Sequence, residues 1–477
     1  MSLRRSHRLA MMDMPPISAV STLARAVSLS PPVGSRRTTA ATTGNDLYAT
    51  TGKQSGFTPV TPSPKKPSRK RKTPASPLPE TSSESSPVWT RRVLAAINPT
   101  QPYLDLDVPP DELRPSATLT TGQSFVWKAV VDDEDESAFS SPSTKTSAWG
   151  SHNATEWVGI LRINSELSAV VAIRETPNTT LYRPLASSTG KPNDRDWKTI
   201  LKDYFQLNHS LQNLYQQWSE ADPRLATIAK CIPGVRILDQ DPWECLVSFI
   251  CSSNNNIPRI TKMVNAIRRE YGQPLLRADQ DHCPETLYSF PGVNELVQKA
   301  TDQDLREKCG LGYRSKYILE TLQLLQERGG ESYLQELRQI SDPLVAQTKL
   351  CEFCGVGRKV ADCVALFSLR QVDAIPVDVH VWNIARRDYD PDQELAKIKS
   401  LTPTTYKQVG DVFRKRFPSK AGWAHSLLFV AELPSFRPVL PAHLVQEMDD
   451  FAKEEKMRKQ EVKETKKKRT SDQETTD

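Results

Sequence analysis

The sequence predicts an α+β fold: an N-terminal antiparallel β-sheet domain followed by an all-helical body. Three observations carry this expectation. Between 117 and 184, β-branched and aromatic residues gather in short runs separated by turn residues. From about 196 that alternation stops and apolar residues recur at three and four positions, as in Leu246, Phe249 and Ile250, or Val360, Val364 and Phe367. Finally, Gly355 and Gly357 interrupt the helical pattern just before Lys359, which predicts a tight hairpin between two helices.

Ser124–Val130, Trp157–Ile163 and Ser168–Ile173 read as three strands, and Thr180–Tyr182 starts a fourth. An acidic run, Asp132 to Glu136, and a Ser-rich stretch to about 154 lie between the first two and predict a surface loop turned away from nucleic acid. Composition divides the chain further. Residues 1–94 form a basic Ser/Thr/Pro-rich tail, with Tyr48 and Phe57 the only aromatics before 89. Such a segment buries too little apolar surface to offset its ordering entropy. The sheet domain covers 95–240, a helical subdomain 241–345, a hairpin-bearing subdomain 346–440, and a charged tail 441–477. The start of the chain carries Arg4, Arg5, Arg8 and Arg25, with Asp13 the only acid before Asp46; it resembles a mitochondrial presequence or an ordinary basic tail. The cluster Lys65-Lys66-Pro67-Ser68-Arg69-Lys70-Arg71-Lys72 points to nuclear import or non-specific nucleic-acid contact, and Lys466 to Arg469 repeats it.

The net charge of +6 is mild for 477 residues, so its distribution matters more than its total. Eight cysteines, at 231, 245, 251, 283, 309, 351, 354 and 363, form no dense framework, which predicts reduced thiols in an intracellular protein. Cys351-x-x-Cys354 has no second CxxC or zinc-spaced His pair after it, which favours a structural role over a metal site. No apolar run approaches the ~20 residues of a membrane span, so no membrane partner is expected.

The chemistry concentrates in Gly355-Val356-Gly357-Arg358-Lys359 and in Pro376-Val377-Asp378-Val379-His380. Amides at the start of the helix after Gly357 attract an anion such as a DNA phosphate, and phosphate contact fixes register without reading sequence. A GxG turn alone serves a simple helix–helix corner equally well. Lys359 sharpens the reading, because a helix start and burial both disfavour its ammonium form, and a neutral amine can attack a sugar C1′ to give a Schiff base. Asp378 follows nineteen residues later. It reads as a helix N-cap, as a carboxylate that stabilises a positively charged sugar, or as both.

These residues, with Thr121-Gly122-Gln123-Ser124-Phe125, Gln240-Asp241-Pro242, Cys251-Ser252-Ser253-Asn254-Asn255-Asn256-Ile257, Gly310-Leu311-Gly312-Tyr313-Arg314 and Ala421-Gly422-Trp423-Ala424, give a chain that resembles the helix-hairpin-helix DNA glycosylases. Within them it is most similar to the eukaryotic 8-oxoguanine DNA glycosylases, over about 121–433. The resemblance implies a bifunctional glycosylase/lyase that flips a damaged purine out of the duplex, excises it opposite cytosine through a lysine Schiff base, and then cleaves the strand by β-elimination. It implies action on double-stranded DNA that contains oxidised guanine. A flipped-base cleft needs no second subunit, so a monomer is expected, and the basic cluster and arginine-rich start point to the nucleus, with the mitochondrion as an alternative. No cofactor and no metal are implied, and since no cysteine follows Cys363, the iron–sulfur loop of related enzymes is excluded.

Residue by residue, the resemblance implies Lys359 as nucleophile and Asp378 as the assisting carboxylate. In the base pocket it implies Gly122 as donor of a carbonyl to the lesion's N7–H, Phe429 as a stacking face, Cys363 as the opposite wall (its thiolate paired with the Lys359 ammonium before reaction), and His425 at the Watson–Crick edge. On DNA it implies Asn254 filling the vacated stack, Arg259 and Arg314 on the orphaned cytosine, Tyr313 as a wedge, Gly355 and Gly357 on a phosphate, and His380 on another. Four positions depart from the family pattern: His425 for Gln, Val126 for Arg, Glu432 for an Asp expected behind His380, and Cys354 for Pro. The first predicts altered selectivity and an excision rate that changes between about pH 5.5 and 7.5 as an ordinary histidine titrates. Two other readings remain open at this point: a glycosylase for alkylated or ring-opened purines, and a catalytically silent DNA-binding module.

Overall fold

A computed structural model describes residues 88–132, 155–189, 195–278, 283–398 and 400–474. The basic stretch at 65–72, the presequence-like start and the acidic run from 133 onward lie outside the described residues. So do the side chains of Lys466 to Arg469.

Six strands form the sheet: β1 (Trp89–Thr90), β2 (Leu104–Asp105), β3 (Trp127–Val131), β4 (Glu156–Arg162), β5 (Ser168–Glu175) and β6 (Thr180–Ser187), in the order β1-β3-β4-β5-β6-β2. The four long strands are antiparallel neighbours, in register Trp127↔Gly159 and Val158↔Ala172. One edge departs from expectation: β1 runs parallel to β3, with Trp89 opposite Val130. The chain is therefore ordered from residues that composition assigns to the tail, and Trp89 and Leu94 are both buried.

Both faces of the sheet are covered. On β5, Ala169, Val171 and Ile173 join Trp157, Leu161 and Tyr182 against Trp197, Leu201 and Phe205. Val170 and Ala172 point the other way, with Val158, Ile160 and Leu185, against Trp89, Leu94 and Ile97. Side chains alternate across a strand, so burial on both faces makes β5 a continuous apolar run. A short hairpin, β7 (Pro274–Leu276) and β8 (Leu287–Tyr288), adds Leu276 and Leu287 to the second face.

Helices make up the rest. Leu211, Leu214, Trp218, Leu225 and Ile228, from helices Leu211–Ala221 and Pro223–Cys231, pack in the core of the helical body and not with the sheet. Arg162 on β4 joins the two parts. Its buried guanidinium meets Asp241 at 2.8 Å and Glu331 at 2.7 Å, and Asp241 also caps the helix Pro242–Ser252. The last helix, Ala442–Glu474, begins as part of the body: Leu444 and Met448 are buried, and Glu455 pairs with Arg386 at 2.7 Å. No described helix is long and apolar enough to cross a membrane.

Candidate active site

Three elements of the helical body and one loop of the sheet domain converge on a cavity of about 490 Å³. Gly122, Lys359, Cys363, Asp378, His380, His425 and Phe429 all line it. Gly122 has φ +79°, and a β-carbon there would lie 3.1 Å from Ile257 Cδ1. The next residue holds the loop still: the Gln123 side chain donates to the carbonyls of Thr118 (3.0 Å) and Arg236 (2.9 Å) and accepts from the Leu238 amide (3.0 Å).

Lys359 lies in the first turn of the helix Arg358–Ser368, with Cys363 one turn on. Its Nζ is 5.8 Å from the centroid of the Phe249 ring. Proximity to Cys363, then to Asp378, raises its pKa against the opposing effect of burial. Burial pushes the Cys363 thiol up to about 11, against the favourable effect of Lys359. Both directions run opposite to what the sequence suggested: the amine is held above its ordinary range, and the thiol is pushed up rather than down.

Asp378 caps the helix Val379–Asp388 and accepts from the amides of His380 (2.9 Å) and Val381 (3.1 Å). These two backbone donors fix the orientation of the side chain at the helix start. His380 is exposed, with its ring edge-on to Phe429 at 6.0 Å between centroids. Glu432, expected behind His380, is engaged by Arg387 at 2.6 Å. Val126 is buried and is not among the residues lining the cavity.

His425, in the helix Ala421–Glu432, is buried in the wall of the cavity. Its Nδ1 lies 3.2 Å from the Gly422 carbonyl, an acceptor, so Nδ1 carries the hydrogen. Nε2 is then a bare acceptor, buried and without a protein partner. Burial lowers the pKa to about 4, which overturns the expected titration between pH 5.5 and 7.5: His425 is neutral throughout that range. Because the folded pKa lies below the unfolded one, His425 contributes stability that is present above about pH 6.5 and is lost as pH falls toward 4. The loss amounts to at most about 3 kcal/mol. We expect His425→Gln to leave the excision profile between pH 5.5 and 7.5 unchanged in shape, and to lose less stability than wild type in urea titrations taken from pH 7 to 4.5. A wild-type inflection near pH 6.5 that vanishes in the variant would contradict this.

The remaining candidates lie outside the cavity lining. Asn254 is exposed, with φ +50°. Tyr313, 47% exposed, donates to the Ser253 carbonyl at 3.3 Å. Arg314 was expected on the orphaned cytosine. Here it is buried, and its Nη2 bonds the Ser253 carbonyl and lies 3.4 Å from that of Asn254. In this state it holds the loop that presents Asn254. Arg259 is exposed in the first turn of the helix Ile257–Tyr271.

Gly357 caps the lysine helix, and Gly355 turns the hairpin with φ +77°. A β-carbon at Gly355 would lie 2.4 Å from Tyr317 Cδ2. Gly355→Ala is therefore expected to destabilise the hairpin by about 1–3 kcal/mol and to weaken binding to undamaged and lesion DNA alike. Thermal melts and salt-dependent binding isotherms check this; unchanged melting and binding would show that the turn tolerates a side chain. Cys351 and Cys354 carry free thiols, and no cluster of potential metal ligands occurs among the described residues.

Asp362 and Tyr406 were not singled out by sequence. An aspartate three residues beyond a lysine reads as a solvated helix face, yet Asp362 is buried and bonded to Tyr406. No local pattern in the sequence reveals that contact.

Comparisons with known proteins agree with this geometry. The N-terminal domain of 8-oxoguanine DNA glycosylase matches residues 105–246, and the HhH-GPD superfamily of base excision DNA repair proteins matches 247–402. The N-glycosylase/DNA lyase OGG1 of Arabidopsis thaliana is 37% identical over 301 residues, 63% of this chain and 78% of that protein. The N-glycosylase/DNA lyase of Saccharomyces cerevisiae is 35% identical over 344 residues, 68% of this chain and 84% of that one. Among solved structures, the Clostridium acetobutylicum 8-oxoguanine glycosylase/lyase, bound to double-stranded DNA with cytosine opposite 8-oxoguanine, superposes with a TM-score of 0.52 at 27% identity, covering 67% of this chain and 91% of that one. The chain therefore belongs to the 8-oxoguanine DNA glycosylase family and is a bifunctional, DNA-binding N-glycosylase/DNA lyase of base excision repair.

Proposed function

We propose that this enzyme excises 8-oxoguanine paired with cytosine, using Lys359 as nucleophile and Asp378 as its electrostatic partner. The observation that carries this reading is the single cavity shared by Lys359, Asp378, Gly122, Phe429 and His425. The flipped base enters between Phe429 and Cys363. The Gly122 carbonyl accepts from N7–H, which 8-oxoguanine has and guanine lacks. The bare Nε2 of His425 accepts from the N–H donors of a guanine-type Watson–Crick edge, and it repels the N1 lone pair of an adenine-type base.

Lys359 gives up its proton and attacks C1′, and the base leaves with the electrons of the glycosidic bond. The Asp378 carboxylate stabilises the positive charge that develops on the sugar. The aminal opens to a Schiff base, whose acidified C2′ proton is removed, and the 3′ phosphate is expelled. Asn254 and Tyr313 occupy the space left in the stack. Arg259, with Arg314 once it is released from the Ser253 carbonyl, contacts the estranged cytosine. Gly355, Gly357 and His380 hold phosphates.

One active site is complete within one chain, which supports a monomer. The basic run at 65–72 supports a nuclear destination, and the arginine-rich start supports a mitochondrial share. Single-turnover excision from duplexes carrying 8-oxoguanine opposite each of the four bases tests the substrate assignment. Cytosine is expected to give the fastest rate. Equal rates opposite all four bases, or faster release of an alkylated purine, would favour a different lesion as the true substrate.

A further inference from the structure

Asp362 is 4% exposed and belongs to the lysine helix, three residues after Lys359. Its carboxylate accepts from Tyr406 Oη at 2.6 Å and from Gln347 Nε2 at 2.8 Å. The same Tyr406 hydroxyl accepts from the backbone amide of Val377 at 3.1 Å and lies 3.2 Å from the Ile375 carbonyl. A phenol has one proton. The charge-assisted bond at 2.6 Å directs it to Asp362, which leaves a lone pair for Val377. Val377 is 1% exposed and immediately precedes Asp378.

One hydroxyl thus bridges the helix that carries Lys359 and the segment that delivers Asp378. Keeping a carboxylate this deep opposes its ionisation, and burial pushes the Asp362 carboxyl up to about 6. A buried polar network of this kind is costly when incomplete and specifies one geometry when satisfied.

We propose that Tyr406 is a positioning residue that, anchored by Asp362, sets the separation between Lys359 and Asp378. It touches neither base nor sugar and acts through the backbone at 375–377. This rests on the assignment of Lys359 and Asp378 above, and loss of turnover in Lys359→Gln tests that assignment separately.

Tyr406→Phe leaves the Val377 amide without its acceptor and Asp362 with only the Gln347 donor. Misplacement of reacting groups by about 1 Å costs on the order of 10²-fold in rate, so single-turnover excision of 8-oxoguanine is expected to fall by about 10- to 100-fold. Affinity for duplex carrying an uncleavable abasic analogue should stay within about twofold, since no DNA contact is removed. Asp362→Asn keeps an acceptor for the tyrosine and should recover most of the rate, whereas Asp362→Ala should not. Val158→Ala, in the apolar cluster of the sheet that none of the cavity-lining residues joins, serves as a control for destabilisation without loss of positioning. The proposal is overturned if Tyr406→Phe keeps its rate, if rate falls only in proportion to melting temperature as in the control, or if binding and rate fall together.

Discussion

Lys359→Gln is expected to bind lesion-containing duplex with nearly wild-type affinity and to lose excision by at least about 10⁴-fold, because Lys359 is the only amine among the described residues that line the cavity. Lys359 is set by the first turn of a helix whose opposite face is packed through Val360, Ala361 and Val364, so the substitution changes chemistry and not the scaffold. Glutamine is one atom shorter than lysine but keeps a polar tip. The wild-type ammonium, held above its ordinary range, must lose a proton before attack. Excision is therefore expected to rise with pH through the neutral range, with the slope set by lysine and not by His425. Single-turnover kinetics alongside binding isotherms measure both quantities. A variant that binds and still excises at more than a few per cent of the wild-type rate would remove Lys359 from the chemistry.

Asp378→Asn carries the second largest expected effect. Asparagine caps a helix about as well as aspartate, so the bonds to the His380 and Val381 amides can persist and the melting temperature should shift by no more than about 2–4 °C. What disappears is the charge that faces the developing sugar cation. Removing a preorganised electrostatic partner costs about 10²–10³-fold in rate. Excision should fall by that amount with melting nearly unchanged. If the rate is kept, the carboxylate is only a cap. If rate and melting collapse together, the cap dominates and the catalytic contribution is small. This separates the two roles that the sequence left joined.

How much was legible in the sequence depends on which interactions are local. The strands β4, β5 and β6 announce themselves because β5 is buried on both faces and reads as an unbroken apolar run. The edge strands β1 and β2, two residues each, are too short for any periodicity, and the parallel pairing of Trp89 with Val130 is a long-range event. Helices at 211–231 show the helical spacing, but nothing local says that Trp218 and Leu225 pack into the helical body. At the site, Gly355 was legible because positive φ and close approach need glycine, and Asp378 because an aspartate before a helix caps it; Gly357, at φ −88° with open space around it, is not required by the backbone.

The state of His425 was not legible. Its neutrality comes from burial and from one carbonyl, that of Gly422, fixing its tautomer; a ring in solvent at the same sequence position would titrate as expected. Arg314 likewise looked free for DNA, but in this structure its guanidinium is held by the loop carrying Asn254. Asp362 and Tyr406, forty-four residues apart, meet only in three dimensions.

The central claim is a covalent intermediate at Lys359. Its most direct measurement is borohydride trapping on duplex containing 8-oxoguanine opposite cytosine, with undamaged and abasic duplexes as controls, followed by mapping of the modified peptide. The account predicts a reduced adduct on the peptide containing Lys359 for lesion and abasic duplexes, none on undamaged DNA, and none in Lys359→Gln. An adduct on another residue, or base release from lesion DNA with no trappable adduct, would contradict it.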